Sequence, residues 1–202
     1  MEKDKLDSLD HARATVDRAA LLAELIGAKG VYTFQHFRNG ELIDEDIIHN
    51  VVTDVGANQL LDSFLGSGPV AGPFLGLISS VGYTGIPVVA DTMSSHSSVN
   101  HVWVEAGNGT NYPNWSTPAS NARQTIAFAT ASGRSKALSA TADFLIATNG
   151  GTVKGCFIVF GTGAVATNNN TSGVLLSAGV FSGGDKVVQI GDTLKVSYSI
   201  AV

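Results

Sequence analysis

The carboxylates Asp44, Glu45 and Asp46, five histidines at positions 11, 36, 49, 96 and 101, and a lone cysteine at 156 are the side chains here with chemistry to offer. Adjacent carboxylates suit acid–base work or a hard cation only if they converge on one point. On a strand they do not, because alternation sends Glu45 to the face opposite Asp44 and Asp46, and a solvated strand edge is the expectation. The histidines show no HExxH pair and no CxxC partners of a zinc centre, although His96 and His101 lie close in sequence. GxSxG and GxGxxG are absent. SGPVAGPFLG lacks a GK[ST] ending and follows a helix-like segment, whereas a phosphate loop precedes one. Cys156 lies within the apolar run KGCFIVF, which predicts a buried inert thiol, and a single cysteine excludes an internal disulfide. No catalytic constellation, metal site or cofactor site is expected.

The elements that would position these side chains are mostly strands. The exception is NVVTDVGANQLLDSFLG, Asn50 to Gly66, which predicts one short helix at about 53–65. Thr53 is placed to cap it, Asp54 sits at the positive end of the helix dipole, and Gly66 closes it. Ala57, Leu60, Leu61, Phe64 and Leu65 recur at helical period and form one apolar face for a sheet. Ahead of the helix, Val31 to Phe37 and Glu41 to Val52 form a hairpin around Asn39-Gly40, a dipeptide suited to two positive φ angles. With Arg38 opposite Glu41, Tyr32, Phe34 and His36 meet Ile43, Glu45 and Ile47, and this face is expected inward.

Beyond the helix, strands are predicted at Phe74–Ile78, Val99–Ala106, Thr125–Ala131, Ala137–Ile146, Thr152–Phe160, Val174–Phe181, Val187–Ile190 and Thr193–Ile200. Gly, Asn, Ser and Asp clusters punctuate them, as in SGRSK, TNGGT, SGGDK and IGD. Two irregular passages interrupt the series. The first, Ser79 to Ser98, carries Tyr83, Met93 and His96 and is long enough to be ordered by a partner or used in function. The second, NGTNYPNWSTPASN, carries Tyr112 and Trp115, either as binding aromatics or as plugs over one end of the core. Short strands at regular spacing predict a mainly β fold, an antiparallel β-sandwich or jelly roll with one packed helix, at residues 30–202. Residues 1–29 are expected to be a helical arm. Leu9, Ala12, Val16, Ala19, Ala23 and Ile26 make a heptad seam of about two and a half repeats, docked on its own domain or on a neighbouring subunit.

Only 14% of the 202 residues are charged and the mean hydropathy is +0.20, a profile that suits a surface partly covered by other subunits. The net charge of −5 gives no electrostatic reason to bind nucleic acid. No run approaches the roughly 18 apolar residues of a membrane span, and the amphipathic N-terminus lacks the basic and apolar regions of a signal peptide. Synthesis and folding in the cytoplasm are expected.

Several segments together resemble the head decoration, or capsid cement, proteins of tailed bacteriophages: NVVTDVGANQLLDSFLG, FLGLISSVGYTGIPVVADTMSSH, SKALSATADFLI, GTVKGCFIVFG and GVLLSAGVFSGGDKVVQIGDTLKVSYSIAV. The resemblance covers Gly30 to Val202 and leaves the arm outside it. It implies a non-enzymatic virion protein on the outer surface of the head, a dimer or trimer that clamps neighbouring major capsid protein subunits. Leu9, Val16, Ile26, Tyr83, Met93 and His96 are then the candidate capsid or subunit contacts, with Tyr112 and Trp115 as interface or ligand aromatics. Neck, baseplate or tail-fibre modules and a carbohydrate-binding surface are the alternatives.

Overall fold

Asn39 and Gly40 both take positive φ, 52° and 82°, and close a two-residue turn between β1 (Lys29–Arg38) and β2 (Glu41–Val52). The hairpin starts in the expected register, Arg38 opposite Glu41 and Phe37 opposite Leu42, and then shifts by one residue. Ile43 is bulged out, so His36, Phe34 and Tyr32 face Asp44, Asp46 and Ile48, not Ile43, Glu45 and Ile47. A one-residue slip exchanges the faces of everything beyond it. Ile48 is accordingly buried and Ile47 exposed, while the inward placement of Tyr32, Phe34 and His36 holds.

The cause of the bulge lies far along the chain. Asp46 Oδ1 accepts from the Ser182 hydroxyl at 2.9 Å and from its neighbour's N–H at 2.7 Å, and Oδ2 accepts from the Gly183 N–H at 2.9 Å. The Lys186 ammonium stands 3.0 Å from Asp46 and 3.1 Å from Asp44. These bonds hold Asp46 inward, so it is buried and ion-paired, in place of the solvated edge that alternation suggested. Glu45 does face the other way, accepting from Gln35 Nε2 at 2.7 Å.

This computed structural model describes residues 27, 29–64, 71–96, 103–107 and 112–201. The expected helical arm over 1–26, His101 and the helix-closing Leu65 and Gly66 lie outside them. Thr53 caps α1 (Asp54–Phe64) as its sequence position predicts, accepting from the Gly56 N–H at 3.1 Å while its hydroxyl donates to the Leu175 carbonyl. The helix sits so close to the sheet that a Cβ on Gly56 would stand 2.7 Å from that carbonyl oxygen. Leu60 packs on the core from this helix.

The remaining strands are β3 (Phe74–Ser79), β4 (Val104–Glu105), β5 (Asn114–Thr117), β6 (Gln124–Thr125), β7 (Ser135–Ala137), β8 (Ala142–Asn149), β9 (Gly151–Phe160), β10 (Val174–Val180), β11 (Lys186–Val188) and β12 (Thr193–Ala201). The fold is mainly β. All described pairings are antiparallel, and they join into one sheet curled as a half-barrel, in the order β4-β3-β9-β10-β2-β1-β12-β8-β5. The curl turns at β2, whose body pairs with β1 and whose last residues, Val51 and Val52, pair with β10. Tyr32 on β1 can thereby reach across the interior to Ser177 on β10, hydroxyl to hydroxyl at 2.6 Å.

Inside the curl, Tyr32, Phe34, Leu75, Leu77, Ile158, Leu176, Val196 and Tyr198 form the main core. The alternate residues of β9 and β10, among them Phe157, Val159 and Leu175, join Ile78, Met93 and Trp103 in a second cluster on the other face of the same strands. Strands buried on both faces read as continuous apolar runs, which is the pattern of FLGLI and GCFIVF. Cys156 is fully buried, and burial pushes its thiol pKa up, as expected of an inert cysteine.

Two predicted strands need correction, and the second passage expected to be irregular holds a strand, β5, paired with β8. Thr125–Ala131 pairs only at Gln124–Thr125, followed by an isolated bridge from Phe128 to Leu138. Ala137–Ile146 is split into β7 and β8, both on β12: Ala137 faces Ser199 and Ala142 faces Val196, so residues 138–141 span only two residues of the partner. The excess chain bends out, and the Ser139 N–H and hydroxyl both donate to the Ala127 carbonyl.

Candidate interaction surfaces

The expected contact residues separate by burial. Met93 is 1% exposed and Trp115 3% exposed, so both are core side chains. Trp115 packs edge-on against Phe144 at 5.2 Å between centroids and donates its indole N–H to the Ala122 carbonyl at 2.9 Å, within the main core cluster. Tyr112 is exposed, beside Gly151. Tyr83 is half-buried against the second cluster that holds Met93, with the Lys154 ammonium 4.5 Å from its ring centroid. His96 ends a 3-10 turn, Met93–His96. Leu9, Val16 and Ile26 lie outside the described residues.

The passage from Ser79 to Ser98 contributes an apolar surface through other side chains. Ile86 is 64% exposed and Val89 53%, with Val88 exposed between them. The Val89 carbonyl accepts from the Asp54 N–H at 2.9 Å, which brings the exposed Val55 of α1 beside this strap. The strap is fixed from beneath by buried Asp91, which accepts from the Val88 N–H at 2.9 Å and from the Trp103 indole at 3.4 Å.

A second apolar surface is built on strands and follows from register. Leu42, Phe37, Thr193, Leu145 and Thr117 are successive partners across β2, β1, β12, β8 and β5, so they form one row on the outer face of the curl. Leu42 is 49% exposed and Leu145 40%. The bulged Ile43 and, in the turn before β12, Ile190 are also exposed. Beside this row runs a polar one, Glu45, Gln35, Lys195 and Asp143, whose members satisfy each other: Lys195 Nζ stands 2.5 Å from Asp143 Oδ2 and Gln35 donates to Glu45. Opposite charges paired within the face leave it without a strong field of one sign, a condition for apolar contact with a partner.

The hairpin tip that carries this row is held by Asp192, which the sequence reading passed over. Arg38 grips its carboxylate in a fork, Nε to Oδ1 at 2.9 Å and Nη2 to Oδ2 at 2.8 Å. His36 Nε2 lies 2.6 Å from Oδ2, and the Gln189 N–H donates to the same oxygen at 2.8 Å. Burial alone would raise the Asp192 pKa; the bonds from Arg38, Gln189 and His36 outweigh it and hold the carboxyl well below the usual range. The signal available in sequence was His36 on an inward strand face, a buried imidazole that needs an acceptor.

A third charged assembly is also interior. Glu105 and Arg123, both fully buried, pair through two bonds of 2.9 Å. Arg123 further donates to the Asn170 carbonyl at 2.6 Å and to that of Val165 at 3.2 Å, and its guanidinium lies 5.4 Å from the Phe157 ring centroid. Glu105 accepts from the Asn169 N–H at 2.8 Å. The pair thus fastens the 161–173 loop to the second cluster. Among the described residues no group of three or more side chains is arranged to hold a metal ion. Nor is any described helix long and apolar enough to cross a membrane. What the geometry offers is a braced scaffold with two exposed apolar surfaces. Searches against protein-family models, curated proteins and solved structures gave no match to the chain.

Proposed function

We propose that this protein is a virion structural protein of a tailed bacteriophage, a capsid decoration protein of β-sandwich or jelly-roll type. It binds the mature head and bridges neighbouring major capsid protein subunits. The observation that carries the reading is the outer row Leu42–Phe37–Thr193–Leu145, in which exposed Leu42 and Leu145 flank half-buried Phe37 and Thr193 on register-locked strands beside a self-neutralised polar row. Burying such a row is favourable by roughly 25 cal/mol per Å² of apolar area, and a braced surface loses little conformational entropy on binding. Many such contacts acting together across a head allow each one to be weak. The segments that resemble cement proteins supply the identity of the partner, which the surface alone does not specify.

The test is co-sedimentation of purified protein with undecorated mature heads, together with the heat resistance of the heads. Saturable binding at a copy number set by the capsid lattice, with more heat-resistant heads, is the expected result. Binding of a few copies at one vertex would assign a neck or tail position instead, and no binding would reject the head altogether.

A further inference from the structure

Val55, Ile86, Val88 and Val89 form an exposed apolar patch where the strap of residues 86–89 meets the start of α1. We propose that residues 9–26 of the same chain cover this patch as an amphipathic helix, with the seam Leu9, Ala12, Val16, Ala19, Ala23 and Ile26 against it. The proposal goes beyond the capsid reading and does not depend on it.

The place where this segment joins the fold favours it. β1 begins at Lys29, and Gly30 is paired with Asn50, from which β2 runs directly through Val52 and the cap Thr53 to Val55. Ile26 is three residues from Lys29, a reach of about 10 Å at full extension, and Asn50 to Val55 spans at most about 17 Å. The segment therefore enters at the end of the molecule that carries the patch, and far from the hairpin tip at Leu42. A helix over residues 9–26 is about 27 Å long, ample to lie across both the strap and the start of α1.

The side chains agree with this placement. Alanine at three of the six seam positions lets a helix approach a low-relief surface of valines, and the charged residues Asp10, Arg13, Asp17, Arg18 and Glu24 fall off the seam. A tether this short sets an effective concentration in the millimolar range, far above that of a second copy in dilute solution, so the chain's own segment is the occupant.

Paired cysteines test this in the purified full-length protein: Leu9→Cys, Val16→Cys or Ala23→Cys, each combined with Val88→Cys. The buried Cys156 can remain, since it is fully enclosed. Mild oxidation of dilute protein, read on non-reducing gels and by peptide mass, is expected to give an intrachain disulfide for at least one pair. It should form roughly tenfold faster than for the control pair Val16→Cys with Leu42→Cys. A disulfide joining two chains would overturn the proposal in favour of arm exchange between copies. Formation no faster than the control in all three pairs would show that this segment does not cover the patch. Heads are absent from the assay, so neither result bears on capsid binding.

Discussion

Two buried carboxylates, Glu105 and Asp192, are each met by an arginine, and the contrast between them separates what holds this molecule together from what it displays. The Glu105–Arg123 pair has no exposed surface on either side chain and spends its remaining hydrogen bonds on backbone groups of the 161–173 loop. Asp192 is equally enclosed, but its partner Arg38 is 34% exposed, at the tip of a hairpin whose outer face carries Leu42 and Phe37. The first is a clamp facing the interior. The second ties down a projecting element so that its exposed apolar residues stay in register.

Breaking the clamp should have the largest effect. Glu105→Ala leaves a guanidinium buried without its counter-charge and should cost about 3–5 kcal/mol in denaturant unfolding. Replacing both members together with Met should cost much less, because no lone charge remains. Asp192→Asn should cost about 1.5–3 kcal/mol, the range for hydrogen bonds to a charged group. It should also change the acid limb. A carboxyl whose folded pKa is depressed contributes stability above its unfolded pKa of about 3.9, and that contribution is lost as pH falls through the lower folded value. Wild-type stability should therefore decline below about pH 4, and the variant should decline less steeply.

Thr53→Ala, which removes a helix cap remote from both carboxylates, should cost about 1 kcal/mol by the same assay. It marks the size of an ordinary local defect against which the other two are judged. Leu42→Asp and Leu145→Asp should each shift stability by only about 0.5 kcal/mol, since these side chains are 49% and 40% exposed and take no part in the core clusters. If these two instead destabilise as much as Asp192→Asn, the outer row belongs to the scaffold and the contrast fails.

What the sequence made legible was local. Asn39-Gly40 determines its own turn, Thr53 caps from the next few residues, and the strand predicted at Thr193–Ile200 is β12, one residue longer. The bulge at Ile43 was not legible, because it is imposed by Ser182, Gly183 and Lys186, whose bonds to Asp46 span more than 130 residues. The split of β7 from β8 likewise depends on how much chain β12 can accommodate. The site followed the same division. The length of the 79–98 passage suggests a segment ordered by a partner or used in function, but its sulfur side chain turns inward, Tyr83 is half-buried, and its aliphatic side chains stay exposed. The outer row could not be read at all without the register that the bulge sets. Glu105 and Arg123 carry no mark in sequence, since nothing local says that two charged residues will meet in the interior.

The most direct measurement compares wild-type protein with the Leu42→Asp, Leu145→Asp variant for saturable binding to undecorated mature heads, after denaturant unfolding shows both to be fully folded under the binding conditions. An outer row that docks on the head gives saturating, head-stabilising binding by the wild type and its loss in the variant. Equal binding by the two proteins, or none by the wild type, would contradict it.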